Sequence, residues 1–259
     1  MKKIGLIRQI HSVLFDFDEL LSESRKFHAD HKVDWVRFPD KVGVDQKTAD
    51  AIKRLYDETG WKFARIFPDA LVGRPKVKNG RLIQPAAHYP EFHRLMSAGY
   101  NGTWQSDNYK EDGGFGGSND ERRGLRLVIT GESQELSGDP LYKQTIGLSA
   151  DQLTAKDNML AQWKNKKKIA LGGLSESEYL YFQRVFFEET GKHWDVNYWT
   201  WLFGSRRSAS ACATAGKPVS GRVSFGFWFA SHLEFYSSGQ DYHCGNLGCR
   251  LAGSFVLKQ

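Results

Sequence analysis

Cysteine is scarce: Cys212, Cys244 and Cys249 are the only three in 259 residues. An odd, low count describes no disulfide framework and fits a reducing compartment or simple buried thiols. Long apolar runs are missing as well. The opening stretch, MKKIGLIRQIHSVLFDFDELL, is basic and then apolar, as a signal peptide is, but Arg8, His11, Asp16 and Asp18 interrupt it and no h-region forms. No stretch is long and apolar enough to span a membrane. The expectation is a soluble protein with no signal peptide and no membrane insertion, cytoplasmic or virion-associated.

The motifs of common chemistries are also absent. There is no Gly-x-Ser-x-Gly elbow and no His-Glu-x-x-His helix. The glycine-rich run 113–117 has no Lys-Ser/Thr pair after it and no strand-to-helix frame, so it is not a phosphate loop. His28 and His31 could share a helical turn but have no third ligand near in sequence. His243, Cys244 and Cys249 have only loose metal-like spacing, without a second Cys-rich half. We therefore expect no catalytic residue, no cofactor and no metal site. The net charge is +6, and the one tight basic run is 164–168 (KNKKK). Without an RNP motif, zinc-finger spacing or a helix-turn-helix signature, that run reads as a solvated segment, and nucleic acid is not an expected partner.

Aromatic residues are what the chain has in quantity: eight Trp and 17 Phe, enough core material for one large domain or two small ones. Taken in order, residues 9–25 follow the helical period, 33–38 suit a short strand, and 45–59 read as a helix capped by Asp45 and stopped by Gly60. Residues 61–67 alternate as a strand, 74–85 read as an arm or a hairpin with Asn79-Gly80 as its turn, and 87–97 as a short helix. The stretch 99–124 is loop-like and marks a boundary, and 125–130 is a strand. Residues 149–163 read as one helix with a Ser149/Gln152 capping box. The strongest helix signal runs from Leu174 to Gly191: a Ser175/Glu178 capping box, a Leu174–Tyr179 staple, an aromatic stripe of Tyr179, Phe182 and Phe186, and a glycine stop.

The last third carries the functional signal. In SFGFWFASHLEFY (224–236) strand alternation puts Phe225, Phe227 and Phe229 on one face and Ser224, Gly226 and Trp228 on the other. Composition alone favours the Phe face as core with Trp228 at the surface.

The run Trp199-Thr200-Trp201-Leu202, then Gly204-Ser205-Arg206, and the closing Leu247-Gly248-Cys249-Arg250 with Ser254-Phe255 resemble the variable proteins of diversity-generating retroelements. The resemblance covers residues 174–259 and extends toward the Arg123–Arg126 strand. It implies an α+β chain, with a C-type-lectin-like (formylglycine-generating-enzyme-like) fold in 123–259 and an N-terminal mixed α/β domain or extension in 1–122. It also implies a variable region at about 203–246. Diversification of AAC codons at their adenines cannot yield Trp, Glu or Gln, and between 224 and 244 only Trp228, Glu234 and Gln240 are of these types; Trp228 is expected to be scaffold. With Trp228 inward, the three Phe turn outward into a binding face. That face is expected to comprise Phe203, Ser208, Ser210, Phe225, Phe227, Phe229, His232, Tyr236, Asp241, Tyr242 and His243. The implied function is recognition of a protein or glycan ligand on a target cell surface, without chemistry on it. Two other readings stand beside it: a formylglycine-generating-type oxidase using Cys244 or Cys249, and a structural virion or assembly protein.

Overall fold

The computed structural model describes residues 14–33, 36–68, 76–78, 81–83, 94–96, 103–111, 118–120, 124–155, 158–207 and 222–258. For 76–78, 81–83, 111, 118–120 and 205–207 only the backbone course is described. The protein is α+β, as expected. Helix α1 spans Phe17–Asp30 and α2 spans Gln46–Thr59. Strand β1 is Phe63–Phe67, β2 Lys76–Lys78, β3 Arg81–Ile83 and β4 Thr103–Gln105. A short helix α3, Asp107–Glu111, follows, then β5 at Ser118–Asp120 and β6 at Arg126–Thr130. Short helices α4 (Pro140–Lys143), α5 (Ala150–Thr154) and α6 (Met159–Gln162) come before β7 at Leu171–Gly173. Helix α7 is Glu176–Thr190, and the remaining strands are β8 (Trp199–Trp201), β9 (Ser205–Arg207), β10 (Val223–Phe229), β11 (His232–Ser238), β12 (Leu247–Gly248) and β13 (Leu251–Val256).

Two sheets organise these elements. One has the order β1-β6-β13-β7, with each neighbouring pair antiparallel. It takes β1 from the 1–122 stretch and its other three strands from 123–259. The other has the order β12-β8-β10-β11-β4; β12 and β4 run parallel to their neighbours and the β8-β10-β11 centre is antiparallel. Period-two alternation splits the first sheet between two cores. Ala64, Ile66, Leu127 and Ile129 join Ile52 and Leu55 of α2, whereas Phe63, Phe67 and Val128 join α7. Leu233 and Phe235 of β11 reach the same α7 core from the other side. Helix α7 is thus sandwiched between the sheets, and this explains why its first three turns are buried nearly all round.

The buried start of α7 is well satisfied. Ser175 Oγ accepts from the Glu178 N–H and Glu178 Oε2 accepts from the Ser175 N–H, the expected capping box. Glu178 also pairs with Arg126 at 3.3 Å, and Tyr109 donates its hydroxyl to Glu176 at 2.9 Å. Both carboxylates sit where the helix dipole favours negative charge. Gly191 closes the helix at φ 69°, as Gly60 does for α2 behind the Asp45 cap. The Asn79-Gly80 turn lies outside the described residues, but β2 and β3 pair antiparallel on either side of it with Lys78 opposite Arg81.

Four local expectations are corrected. Helix α1 starts at Phe17, because Asp16 accepts from the Asp18 and Glu19 N–H groups, and it runs on to Asp30; residues 9–13 lie outside the described part. Residues 33 and 36–38 form no strand. The Val33 N–H bonds back to the His28 carbonyl, and Val33 and Val36 fill the α7 core instead. Residues 99–124 contain β4, α3 and β5 where only loop was expected. The helix expected over 149–163 breaks: the Ser149/Gln152 box starts α5 as expected, but Asn158 accepts from the Ala161 N–H and starts α6 anew. Of the 87–97 helix, 94–96 are helical and the rest lies outside the described residues.

Candidate ligand-binding face

The outer face of the five-stranded sheet is the candidate site. Trp201, Phe225 and Tyr236 are directly opposite one another across β8, β10 and β11, as are Phe227, Glu234 and Trp104 across β10, β11 and β4. The result is a continuous aromatic ladder. Trp199 lies 5.4 Å from Phe225 and 5.6 Å from Tyr236, nearly parallel to both, and Phe225 lies 5.3 Å from Tyr236 at 5°. Tyr242 stacks on Phe225 at 6.0 Å, and Trp104 reaches Tyr236 at 5.2 Å. Such offset contacts add to the area each ring buries.

One end of this face is roofed. Trp201 donates its indole N–H to the Leu148 carbonyl at 3.1 Å, and the Asp151 N–H bonds to the Gln240 carbonyl at 2.9 Å, holding the α5 segment over β8. The other end is open: Phe229 is 54% exposed and Trp104 42%, while Tyr242, 37% exposed, lies against Trp201 and Phe225 at the β8 side. Between them sits one carboxylate. Glu234 is only 8% exposed. It accepts from His232 Nε2 at 2.9 Å on one oxygen and from the Tyr236 hydroxyl at 2.8 Å on the other. Burial, then the bond and charge of Glu234, raise the Tyr236 phenol well above its usual value, so it stays a donor.

A buried ion pair fixes the sheet from behind. Arg250 and Asp195 are both fully buried, with Nε 3.0 Å from both carboxylate oxygens. The guanidinium also donates to the Ser133 and Gln134 carbonyls and lies over the Trp194 ring at 4.1 Å. Burial alone would lower the Arg250 pKa, but the Asp195 charge more than offsets it and the net shift is upward. Thr200 of β8 donates to the same carboxylate at 2.7 Å, and the Asp195 carbonyl accepts from the Trp228 N–H at 3.1 Å. The pair therefore ties the chain before β13 to β8 and β10, the strands that carry the aromatic ladder.

The expected site residues divide into four groups. Phe225, Phe227, Phe229, His232, Tyr236 and Tyr242 do come together on this one face, opposite to Trp228, whose ring stacks on His193 at 3.4 Å. Asp241 and His243 are exposed beside it in the loop after β11. Ser208 and Ser210 lie outside the described residues. Outward exposure of all three Phe is corrected: Phe225 is 3% and Phe227 7% exposed, because Trp199, Trp201 and Tyr236 cover them. Phe203 is also buried, its ring packed over Gly173. The residues missed were Trp104, Trp199 and Glu234. Trp199 stands in an aromatic-rich run and shares strand parity with Trp201; nothing local marks Trp104 or Glu234, which reach the face by strand pairing.

Neither reactive-cysteine position nor a metal centre gains a constellation among the described residues. Cys249 is fully buried with Sγ against the Trp201 carbonyl at 3.6 Å, Cys244 Sγ contacts Asn246, and no group of three or more metal-ligating side chains occurs there. Among the described residues no helix is long and apolar enough to cross a membrane. No protein-family model, no curated protein and no solved structure matches the chain.

Proposed function

We propose that this chain is a ligand-recognition protein, a variable protein of a diversity-generating retroelement with a C-type-lectin-like C-terminal domain. It binds a protein or glycan on a target cell surface through the outer face of β8, β10, β11 and β4. The observation that supports this best is the graded aromatic face. A partly exposed, contiguous set of rings on a rigid sheet gives large contact area at little entropic cost. The closing strand β13, paired between β6 and β7 and anchored through Arg250, is consistent with the terminal strand that the resemblance implies.

Two experiments test the proposal. Sequencing of the flanking DNA should show a reverse-transcriptase gene and a near-copy of the segment coding for about 203–246, differing at adenines; a locus with neither contradicts the retroelement assignment. Glycan and cell-surface protein arrays probed with the whole chain should give a ligand that Phe229→Ala or Tyr242→Ala abolishes. A ligand whose binding both substitutions leave intact contradicts the assignment to this face.

A further inference from the structure

The centre of the open face is a carboxylate fenced by rings. Glu234 is directly opposite Phe227 on one side and Trp104 on the other, and His232 and Tyr236 flank it two residues away along β11. Its four nearest positions on that face are therefore all aromatic. An acid in such a place is costly to desolvate unless something compensates it. The compensation inside the protein is two hydrogen bonds, one to each oxygen. A carboxylate has room for about four such bonds. Among the described residues the one ion-pair partner of Glu234 is His232, and no Lys or Arg approaches it. The negative charge of the carboxylate therefore lies among aromatic rings, whose faces also carry negative potential. Trp104 and Phe229, the two most exposed rings, stand at its rim.

We propose that this patch is a subsite for a cationic group, an ammonium or methylated ammonium carried by the ligand, seated on the rings of Trp104 and Tyr236 with Glu234 as its counter-charge. Aromatic faces attract a cation most strongly when the site is partly desolvated, and a weakly hydrated methylated ammonium gives up least water on entry. Glu234 meets the cation with its charge, while His232 and Tyr236 hold the carboxylate in place. A neutral sugar could also stack on such rings, but it would draw nothing from the charge of Glu234. The inference deepens the recognition reading and rests on it for the identity of the face, yet its test needs neither the natural ligand nor the retroelement.

The probes are choline, tetramethylammonium and the neutral choline isostere 3,3-dimethylbutan-1-ol, with methyl glucoside as the sugar control, titrated into the full chain. Tryptophan fluorescence and calorimetry are the readouts. Choline and tetramethylammonium should bind saturably, and the neutral isostere should bind at least about tenfold more weakly. Glu234→Gln, which keeps the shape and removes the charge, should cost choline about tenfold and leave the weak isostere binding unchanged. Trp104→Leu, at the exposed edge, should weaken both ammonium probes. Equal binding of choline and its isostere overturns the proposal, as does the absence of choline binding, or sugar binding that Glu234→Gln does not affect. If Glu234→Gln does not fold, the choline-to-isostere ratio on the unaltered chain decides alone. A chain that fails to bind choline but binds an array ligand through Phe229 refutes the cation subsite and keeps the recognition face.

Discussion

Trp228 and Phe229 are neighbours on one strand, yet the first is 6% exposed and the second 54%. They stand for the two faces of the five-stranded sheet. The inner face carries Thr200, Ser224, Gly226, Trp228, Leu233 and Phe235, alternating small and large so that α7 can lie close. A side chain at Gly226 would meet the Glu234 carbonyl at 3.2 Å, the Phe235 ring at 3.3 Å and the Tyr179 ring at 3.4 Å, so the inner face is closely filled there. The outer face has no small residues at its centre. It is a ladder of rings, covered at the β8 end and open at the β4 end. The inner face spends its aromatics on fixing a shape; the outer one presents part of its aromatic surface to solvent. A covered and an exposed ring are thus separated by a single peptide bond at 228–229.

The comparison breaks first if the inner core is not the stronger determinant of stability. Phe182→Ala and Phe186→Ala empty the α7 core between the sheets, and each should cost about 3–5 kcal/mol in urea unfolding. Unchanged melts for both would remove the basis for calling α7 the central support. Next come the covered rings of the outer face. Phe225→Ala and Phe227→Ala should cost about 3 kcal/mol, with Phe225 the more damaging because Trp199, Trp201, Tyr236 and Tyr242 all pack on it. A loss below about 0.5 kcal/mol at both, the range of ordinary surface positions, would show that the outer face is open along its whole length.

Acid should act on the inner side. His193 is stacked between Phe187 and Trp228, and His28 is buried against Tyr181 of α7. Burial lowers both imidazoles from 6.5 to about 4. The unfolded chain therefore binds more protons between these values, and stability is fully present above about pH 6.5 and is lost as pH falls through about 4. For the nearly fully buried His28 the loss is on the order of 3 kcal/mol. Glu135 and Glu189, whose carboxyls burial raises, titrate with the opposite sign toward the acid end. Urea melts at pH 7 and pH 5 measure the net slope, and His28→Phe should flatten it if the chain still folds. A slope that is flat in the parent protein contradicts the buried, neutral state of these rings. The smallest effects belong to the exposed loop after β11: Asp241→Ala and His243→Ala should stay within about 0.5 kcal/mol of the parent.

Much of this arrangement could be read from residues in order, and the failures have a common cause. Helices α2 and α7 were legible because each carries its own start and stop: Asp45 and Gly60, Ser175/Glu178 and Gly191. The two-residue period correctly separated Phe225, Phe227 and Phe229 from Trp228. It could not say which rings of a face are covered, because the cover at Phe225 comes from Trp199 and Trp201, and these belong to another strand. Strand β4 was missed for a similar reason: three residues are too few to show alternation, and Thr103–Gln105 become a strand by pairing with the edge of β11. Nothing in the run of rings marked Glu234 as part of the face. Only the register of β11 against β10 and β4 surrounds it with Phe227 and Trp104. The break between α5 and α6 was written locally, in Asn158, but the stronger capping box at Ser149 masked it.

The most direct test compares Trp228→Ala with Phe229→Ala in the same chain, measuring urea unfolding and binding to an array-identified ligand for each. Trp228→Ala should cost about 3–5 kcal/mol as a large-to-small core change. Phe229→Ala should change stability by less than about 0.5 kcal/mol and abolish binding. A Phe229→Ala protein that unfolds easily while Trp228→Ala is as stable as the parent, or one that binds as the parent does, would contradict the division of the sheet into a supporting face and a recognising face.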